Sequence, residues 1–118
     1  MPIDPQIQTA IAQARALGAP RPEQTPIETA RRAYRERYRG RGVEFAGDVL
    51  ATELSIPTSD GVIPAWLYAP PGTALSEALP LLIYFHGGGF VLGDAESYAA
   101  QSALLAQRLR CRVLFPEF

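Results

Sequence analysis

The sequence predicts an α/β protein in which two parallel strands are joined by a helix. Leu81–Phe85 is apolar on both faces, as a parallel strand must be when helices cover both sides of its sheet. A glycine loop, a helical segment from about Ala95 to Arg110 and a strand-like run, Cys111–Phe115, follow in that order. This order is that of a right-handed crossover unit. The loop should therefore lie beyond the carboxyl end of its strand, where open α/β sheets bind ligands.

Two amphipathic helices are predicted ahead of the sheet. Asp4 is placed to cap the first, whose apolar residues recur at helical spacing as far as Gly18. A capping box of Thr25 and Glu28 should begin the second, which ends at Gly40. One face of this second helix carries Ile27, Ala30, Tyr34 and Tyr38. Because both apolar stripes are narrow, we expect the two helices to pack over the mouth of the pocket as part of a lid.

A β-hairpin and the crossover helix flank the glycine loop. Residues 49–69 alternate in polarity around an Asp60-Gly61 pair, which is typical of a hairpin turn. Asp94 should cap the crossover helix. Pro116 removes a backbone donor, so we expect a distorted exit from the last strand. The inward face of the crossover helix is predicted to hold Tyr98, Ala99, Leu105 and Leu109.

Composition excludes several functional classes. All eleven basic residues are arginine, which excludes a Schiff-base lysine and the lysine of a nucleotide-binding loop. A formal charge of −1 provides no general field for nucleic acid. The single cysteine, Cys111, forms no intrachain disulfide or thiolate-rich metal site and should be a small buried hydrophobe. The chain starts without a signal-like segment and contains no apolar run of membrane-spanning length, so we expect a cytoplasmic protein.

The triple glycine 87–89 is the segment most indicative of chemistry. Glycines permit positive φ and leave their N–H groups uncovered, so such a loop can bind a phosphate or a developing oxyanion. A dinucleotide fingerprint would need glycine in place of Leu92, and a phosphate-binding loop would need lysine in place of Asp94. The oxyanion interpretation is therefore favoured. A plain turn without a ligand is the alternative, although one glycine would suffice for it.

The loop sequence His86-Gly87-Gly88-Gly89-Phe90, with Gly93-Asp94 behind it, resembles that of the hormone-sensitive-lipase-like esterases and lipases of the α/β-hydrolase fold. The likeness covers roughly residues 49–118. It implies the N-terminal part of that fold, with two leading cap helices, a β-hairpin and a β-α-β unit. The complete fold would be a three-layer sandwich. Residues 1–42 would be a helical cap segment, and residues 43–118 would be core that stops before the nucleophile elbow.

The resemblance implies a carboxylic ester hydrolase for short-to-medium acyl chains that acts through a serine–histidine–acid acyl-enzyme mechanism. The partner is then a small-molecule ester, and no metal or organic cofactor is implied. We expect a methyl group added at Gly88 or Gly89, the implied oxyanion donors, to turn the backbone N–H of that residue away from the oxyanion. The implied site residues are the oxyanion donors Gly88 and Gly89, the loop scaffold His86 and Gly87, and the substrate contacts Phe90 and Tyr34.

A nucleophile elbow, Gly-x-Ser-x-Gly, surrounds none of the serines, which are Ser55, Ser59, Ser76, Ser97 and Ser102. We therefore expect the serine, acid and histidine to lie in the remainder of the hydrolase, as a second chain or a missing C-terminal part. The isolated chain should be inactive. A non-catalytic small-molecule receptor on the same fold, as in plant hormone receptors, stays open as the alternative.

Six arginines lie between Arg31 and Arg41. Such a cluster is typical of a nucleic-acid or anionic-surface patch, or of the solvated face of a helix. Acidic residues are scattered around it, and Tyr34 and Tyr38, which lie among the arginines, belong to the apolar stripe of the helix, as packing residues do. The solvated face is therefore favoured, and no nucleic-acid partner is expected.

Overall fold

A computed structural model describes residues 2–18, 24–42, 47–74 and 76–118. It confirms the α/β class and the predicted order of elements. These elements are helices α1 (Pro5–Ala16) and α2 (Ile27–Tyr38), strands β1 (Leu50–Thr58), β2 (Gly61–Ala69) and β3 (Leu81–Ile83), helix α3 (Ala95–Leu109) and strand β4 (Arg112–Pro116). In the described ranges no helix is both long and apolar enough to cross a membrane.

The four strands form one mixed sheet in the order β1-β2-β4-β3. β1 and β2 are the predicted antiparallel hairpin, β2 also pairs antiparallel with β4, and β3 pairs parallel with β4. The hairpin turn is centred on Ser59 and Asp60, one residue earlier than predicted, because Thr58 pairs with Gly61. The Thr58 hydroxyl fixes this turn by donating to the Gly61 carbonyl at 3.0 Å and accepting from the Asp60 N–H at 3.3 Å.

β3 lies at an edge of the sheet that the described residues form. Its ladder with β4 extends to the Tyr84 N–H, which donates to the Leu114 carbonyl at 2.8 Å. Within the described residues no strand pairs with the other side of β3. Leu81, Ile83 and Phe85, which share one face of this strand, are more than half exposed, so the prediction of a strand covered on both faces is wrong for this structure.

The core lies between α3 and the sheet. Ala95, Ala103 and Ala106 are buried against larger sheet residues, and these small side chains let the helix approach the sheet closely. The expectation that Leu109 points inward is wrong, since it is 59% exposed. Arg110 adopts the left-handed conformation (φ 48°) and ends the helix there. Cys111, only 5% exposed, enters the core instead, which confirms its predicted burial.

Pro116 does not distort the end of β4. It pairs with Ala65, and the next residue, Glu117, donates its N–H to the Pro64 carbonyl at 2.9 Å. Alternate residues of an antiparallel strand direct their N–H groups to opposite sides. Because the nitrogen of Glu117 faces β2, that of Pro116 faces away from β2, and no bond of this ladder is lost.

The leading helices differ in how they join the core. Asp4 caps α1 as predicted and accepts from the Gln6 N–H at 2.8 Å, but none of the residues of α1, all of them described, is buried. α2 packs on α3 and buries Ala30. The predicted capping box is wrong: Pro26, with an extended ψ of 138°, is the N-cap, so Glu28 follows the cap by two residues instead of three. The predicted boundary after residue 42 adjoins residues 43–46, which lie outside the described residues.

Candidate active site

A cavity of about 580 Å³ lies beyond the carboxyl end of β3, where the crossover unit predicts a ligand site. Three segments form its wall: the glycine loop, the adjoining face of α2 and the residues after β4. The lining residues are Arg31, Arg35, residues 86–94, Glu117 and Phe118. No three or more histidine, cysteine, aspartate or glutamate side chains among the described residues are grouped to hold a metal ion.

The glycine loop has a backbone conformation that requires glycine at one position above all. Gly88 has φ 134°, and its carbonyl accepts from the N–H groups of Val91 and Leu92 at 3.2 and 3.0 Å. A Cβ atom added at Gly88 would overlap the Leu92 carbonyl oxygen and lie 2.7 Å from the carbon of that carbonyl. Gly89, with φ 63°, has nothing within 4 Å of such an atom. The expectation that alanine clashes therefore applies to Gly88, whereas at Gly89 only the left-handed φ opposes it.

Two side chains hold the peptide that joins Gly87 to Gly88. The Gly87 carbonyl accepts from the Tyr98 hydroxyl at 3.1 Å and from His86 Nδ1 at 2.6 Å. A carbonyl oxygen only accepts, so Nδ1 carries the histidine proton. The peptide is trans, and its N–H is therefore antiparallel to its carbonyl. The hydrogen bond from Tyr98 holds the Gly87 carbonyl towards Tyr98. The Gly88 N–H consequently points away from Tyr98.

The N–H groups of Gly88 and Gly89 meet no hydrogen-bond acceptor in the part of the chain that the structure describes. Both glycines line the cavity. Backbone N–H groups are strong donors, and they are rarely left without a partner unless water or a ligand satisfies them. The loop thus offers two donors to a group with negative charge.

Aromatic rings hold the His86 side chain in place. The imidazole stacks on Phe115 at 5.3 Å between centroids with an 11° interplanar angle, and on Phe118 at 4.8 Å and 25°. Gly93 leaves room for the ring, because a Cβ atom there would lie 2.6 Å from His86 Nδ1. This role of Gly93 was not predicted, because it depends on the position of a side chain seven residues earlier in the sequence.

Carboxylates occupy the N-terminus of α3. Asp94 Oδ1 accepts from the N–H and the hydroxyl of Ser97 at 2.9 and 2.7 Å, which confirms the predicted cap, and Asp94 Oδ2 accepts from Arg35 Nε at 2.5 Å. Burial alone would raise the pKa of the Asp94 carboxyl, but these bonds from Ser97 and Arg35 outweigh it and lower the pKa below its usual value. Glu117 Oε1 accepts from the Ala95 N–H at 3.0 Å. Both carboxylates suit the positive end of the helix dipole.

One face of α2 contacts the loop directly. Arg31 Nε donates to the Val91 carbonyl at 2.8 Å, and the Tyr34 hydroxyl lies 3.0 Å from that of Tyr98. These contacts show that the prediction of a solvated face is wrong for Arg31 and Arg35; the helical spacing of Arg31, Tyr34 and Arg35 indicates a shared face but not what that face contacts. Tyr34 does not line the cavity.

Phe90 is 94% exposed and lines the cavity, at a left-handed φ of 60°. The backbone at this position thus presents an aromatic side chain beside the two donor glycines. Its role as a substrate contact stays a prediction, as does that of Tyr34.

Comparison with known proteins reveals similarity to ester hydrolases. The model of an alpha/beta hydrolase fold family matches residues 82–118. The carboxylic ester hydrolase LipN of Mycobacterium tuberculosis is 46% identical over 61 residues, which are 52% of this chain and 14% of LipN. An acetyl esterase of Salmonella schwarzengrund is 33% identical over 107 residues, which are 90% of this chain and 32% of that enzyme.

Solved structures show the same similarity. A fungal esterase of Rhizomucor miehei superposes with a TM-score of 0.81 at 28% identity, over 98% of this chain and 35% of its own. The chain thus spans about a third or less of the length of these relatives.

Proposed function

Because the chain belongs to the hormone-sensitive-lipase-like family of the α/β-hydrolase fold, we propose that it forms the oxyanion-binding part of a carboxylic ester hydrolase. The observation that carries this proposal is the pair of N–H groups of Gly88 and Gly89, which border the cavity without an acceptor among the described residues. Donors fixed in advance where charge develops stabilise the tetrahedral intermediate of acyl transfer. The names of the relatives, which are esterases and ester hydrolases, support the same reaction class.

In this proposal the carbonyl oxygen of the ester lies between the N–H groups of Gly88 and Gly89. A serine hydroxyl attacks the carbonyl carbon and passes its proton to a histidine base, while the electron pair of the C=O bond moves onto the oxygen. The two donors stabilise that oxyanion. Collapse of the intermediate breaks the ester C–O bond, and the histidine returns its proton to the leaving alkoxide, which departs as the alcohol. Water then attacks the acyl-enzyme and releases the carboxylic acid and the free serine.

The serine, acid and base belong to the remainder of the hydrolase, as a second chain or a C-terminal part. Two observations support this. The serines of the sequence are not set in a Gly-x-Ser-x-Gly elbow. His86 donates from Nδ1 to the Gly87 carbonyl and stacks on Phe115 and Phe118, which suits a scaffold residue better than a base that must exchange protons with substrate.

The substrate we propose is an ester with a short-to-medium acyl chain. Phe90 offers an apolar wall beside the donors, and Asp94 and Glu117 are acidic groups on the same cavity. Residues 1–42 act as a cap segment in this proposal, because the Arg31 and Arg35 side chains of α2 reach the wall of the cavity.

The test uses the complete protein that contains this chain. It should hydrolyse p-nitrophenyl acetate and p-nitrophenyl butyrate with saturation kinetics, and a p-nitrophenyl phosphonate should inactivate it in proportion to the phosphonate incorporated. Esters of long acyl chains should be poorer substrates. If ligands bind to the pocket but neither turnover nor phosphonate labelling occurs, the enzyme proposal fails and the receptor on the same fold is correct.

A further inference from the structure

The peptide between Gly87 and Gly88 needs side chains to hold its orientation. A peptide flanked by two glycines can rotate about its neighbouring torsions with little steric cost, because neither residue has a Cβ atom. Rotation by half a turn would exchange the directions of the Gly87 carbonyl and the Gly88 N–H. Whatever binds the carbonyl therefore determines which way the donor points.

Tyr98 and Tyr34 form a relay to that carbonyl. The Tyr98 hydroxyl has one proton, and it donates this proton to the Gly87 carbonyl at 3.1 Å. Its oxygen is then the acceptor in the 3.0 Å contact with Tyr34, so the Tyr34 hydroxyl is the donor. Tyr34 thus donates to Tyr98, and Tyr98 donates to the Gly87 carbonyl. The two tyrosines are 64 residues apart in the sequence.

The position of Tyr34 is fixed by its own helix. Arg31, three residues before Tyr34, binds the Val91 carbonyl. Arg35, the residue after Tyr34, binds the Asp94 carboxylate. Burial and the hydrogen bond with Tyr98 raise the pKa of the Tyr34 phenol well above its ordinary value. Tyr34 consequently keeps the proton that it donates at any pH used in an esterase assay.

We propose that Tyr34 and Tyr98 are positioning residues that fix the direction of the Gly88 N–H, so that helix α2 sets the strength of oxyanion stabilisation. This inference rests on the function proposed above. It differs from the lid expected from the sequence, since a lid alters access to the pocket, whereas the relay acts on the donor. The hydroxyls do not touch the substrate in this proposal; they act through the Gly87 peptide.

The experiment compares Tyr98→Phe, Tyr34→Phe and the double variant in the complete protein. Tyr98→Phe removes one of the two bonds to the Gly87 carbonyl and should lower kcat about tenfold, with KM unchanged. Tyr34→Phe leaves the Tyr98 bond in place and should lower kcat about threefold. The double variant should be no slower than Tyr98→Phe, because Tyr34 acts only through Tyr98.

Tyr84→Phe is the matched control. It removes a 3.0 Å tyrosine hydrogen bond from the same aromatic cluster, but that bond goes to Gln101 and not to the loop. Its kcat should equal that of wild type even if its Tm falls. Affinity for a trifluoromethyl ketone, which binds as an oxyanion adduct, should fall in the relay variants by the same factor as kcat/KM.

Two results would separate this inference from the proposed function. If Tyr98→Phe and Tyr34→Phe both match Tyr84→Phe in kcat and in ketone affinity while Gly88→Ala is strongly impaired, the relay is refuted and the oxyanion assignment stands. If Gly88→Ala also keeps full turnover, the oxyanion assignment itself fails. Additive losses in the double variant would equally refute the relay, because they would show that the hydroxyls act independently.

Discussion

Replacing Gly88 with alanine is the most direct perturbation of the proposed oxyanion donor. The added methyl group would overlap the Leu92 carbonyl oxygen and lie 2.7 Å from its carbon. Backbone atoms cannot move aside as the end of a side chain can. The Leu92 N–H is in addition bound to the Gly88 carbonyl at 3.0 Å, so the two residues are held together.

The expected loss follows from the displacement that the clash imposes. Relief requires Gly88 and Leu92 to separate by about 1 Å or more. An oxyanion donor is effective over a range of only about 0.4 Å, from roughly 2.7 to 3.1 Å. The Gly88 N–H should therefore be lost as a donor, which typically reduces kcat about a hundredfold to a thousandfold, or about 2.7–4 kcal/mol of transition-state stabilisation, with KM nearly unchanged.

Alanine at the second donor, Gly89, and at Gly72, the control outside the cavity, introduces backbone strain without a clash. Gly89 (φ 63°) and Gly72 (φ 74°) have similar left-handed conformations, and nothing lies within 4 Å of an added Cβ atom at either. Alanine at each should cost about 1 kcal/mol of stability through strain alone. Gly72→Ala, between β2 and β3 and away from the cavity, should keep wild-type kcat, and Gly89→Ala should stay within a few-fold because its N–H keeps its direction.

The assay is steady-state hydrolysis of p-nitrophenyl butyrate by the complete protein, with Tm and circular dichroism measured for each variant. A folded Gly88→Ala protein with kcat near that of wild type would refute the donor assignment. Equal losses in Gly88→Ala, Gly89→Ala and Gly72→Ala would attribute the effect to stability instead of to the donor.

The remaining predictions concern the whole chain, the histidine and the helix cap. The isolated 118-residue chain, purified to homogeneity, should hydrolyse p-nitrophenyl acetate no faster than buffer; serine-dependent turnover by it would overturn the assignment of the triad to the remainder of the protein. His86→Ala should lower both Tm and kcat without shifting the pH–rate profile, since the ring holds the Gly87 carbonyl and stacks on Phe115; a shifted profile with unchanged Tm would indicate a base. Because the folded-state pKa of Asp94 is depressed, its ionised form stabilises the protein at neutral pH, and this stabilisation is lost as the pH falls below about 4 and through the folded-state pKa. Wild type should therefore lose stability more steeply than Asp94→Asn during acid titration, and parallel curves would contradict this.

Features fixed by local pattern could be predicted from the sequence. Asp94 caps α3 because a short acidic side chain precedes a helical run, and the glycine loop follows β3 because three glycines follow an apolar strand. In each case the signal lies within a few neighbouring residues, and the local backbone conformation of those residues determines the cap or the loop. Three of the four cavity-lining glycines, Gly87, Gly88 and Gly89, were identified in this way, although only the structure shows that an added methyl group clashes at Gly88 and not at Gly89.

Features that depend on tertiary contacts could not be predicted in this way. The Tyr34–Tyr98 bond joins hydroxyls 64 residues apart, and no spacing rule relates them. Arg31 and Arg35 have the same local pattern as arginines that only face solvent, yet they bind the loop. Leu109 continues the helical periodicity of α3, yet it is exposed at the last residue of the helix, just before the left-handed Arg110.

The strand order makes the assembly of the sheet that the described residues form depend on β4. β4 is the fourth strand along the chain, yet it lies between β2 and β3 and carries the ladder to each of them. Until Arg112–Pro116 has been synthesised, the β1–β2 hairpin and β3 share no backbone bond, and α3 lacks Val113 and Phe115, the fully buried side chains on which it packs. Contacts between distant parts of a chain form slowly because loop closure must precede them. We therefore expect the hairpin to form as a local unit, and the sheet side of the glycine loop and its crossover helix to be completed only when β4 inserts.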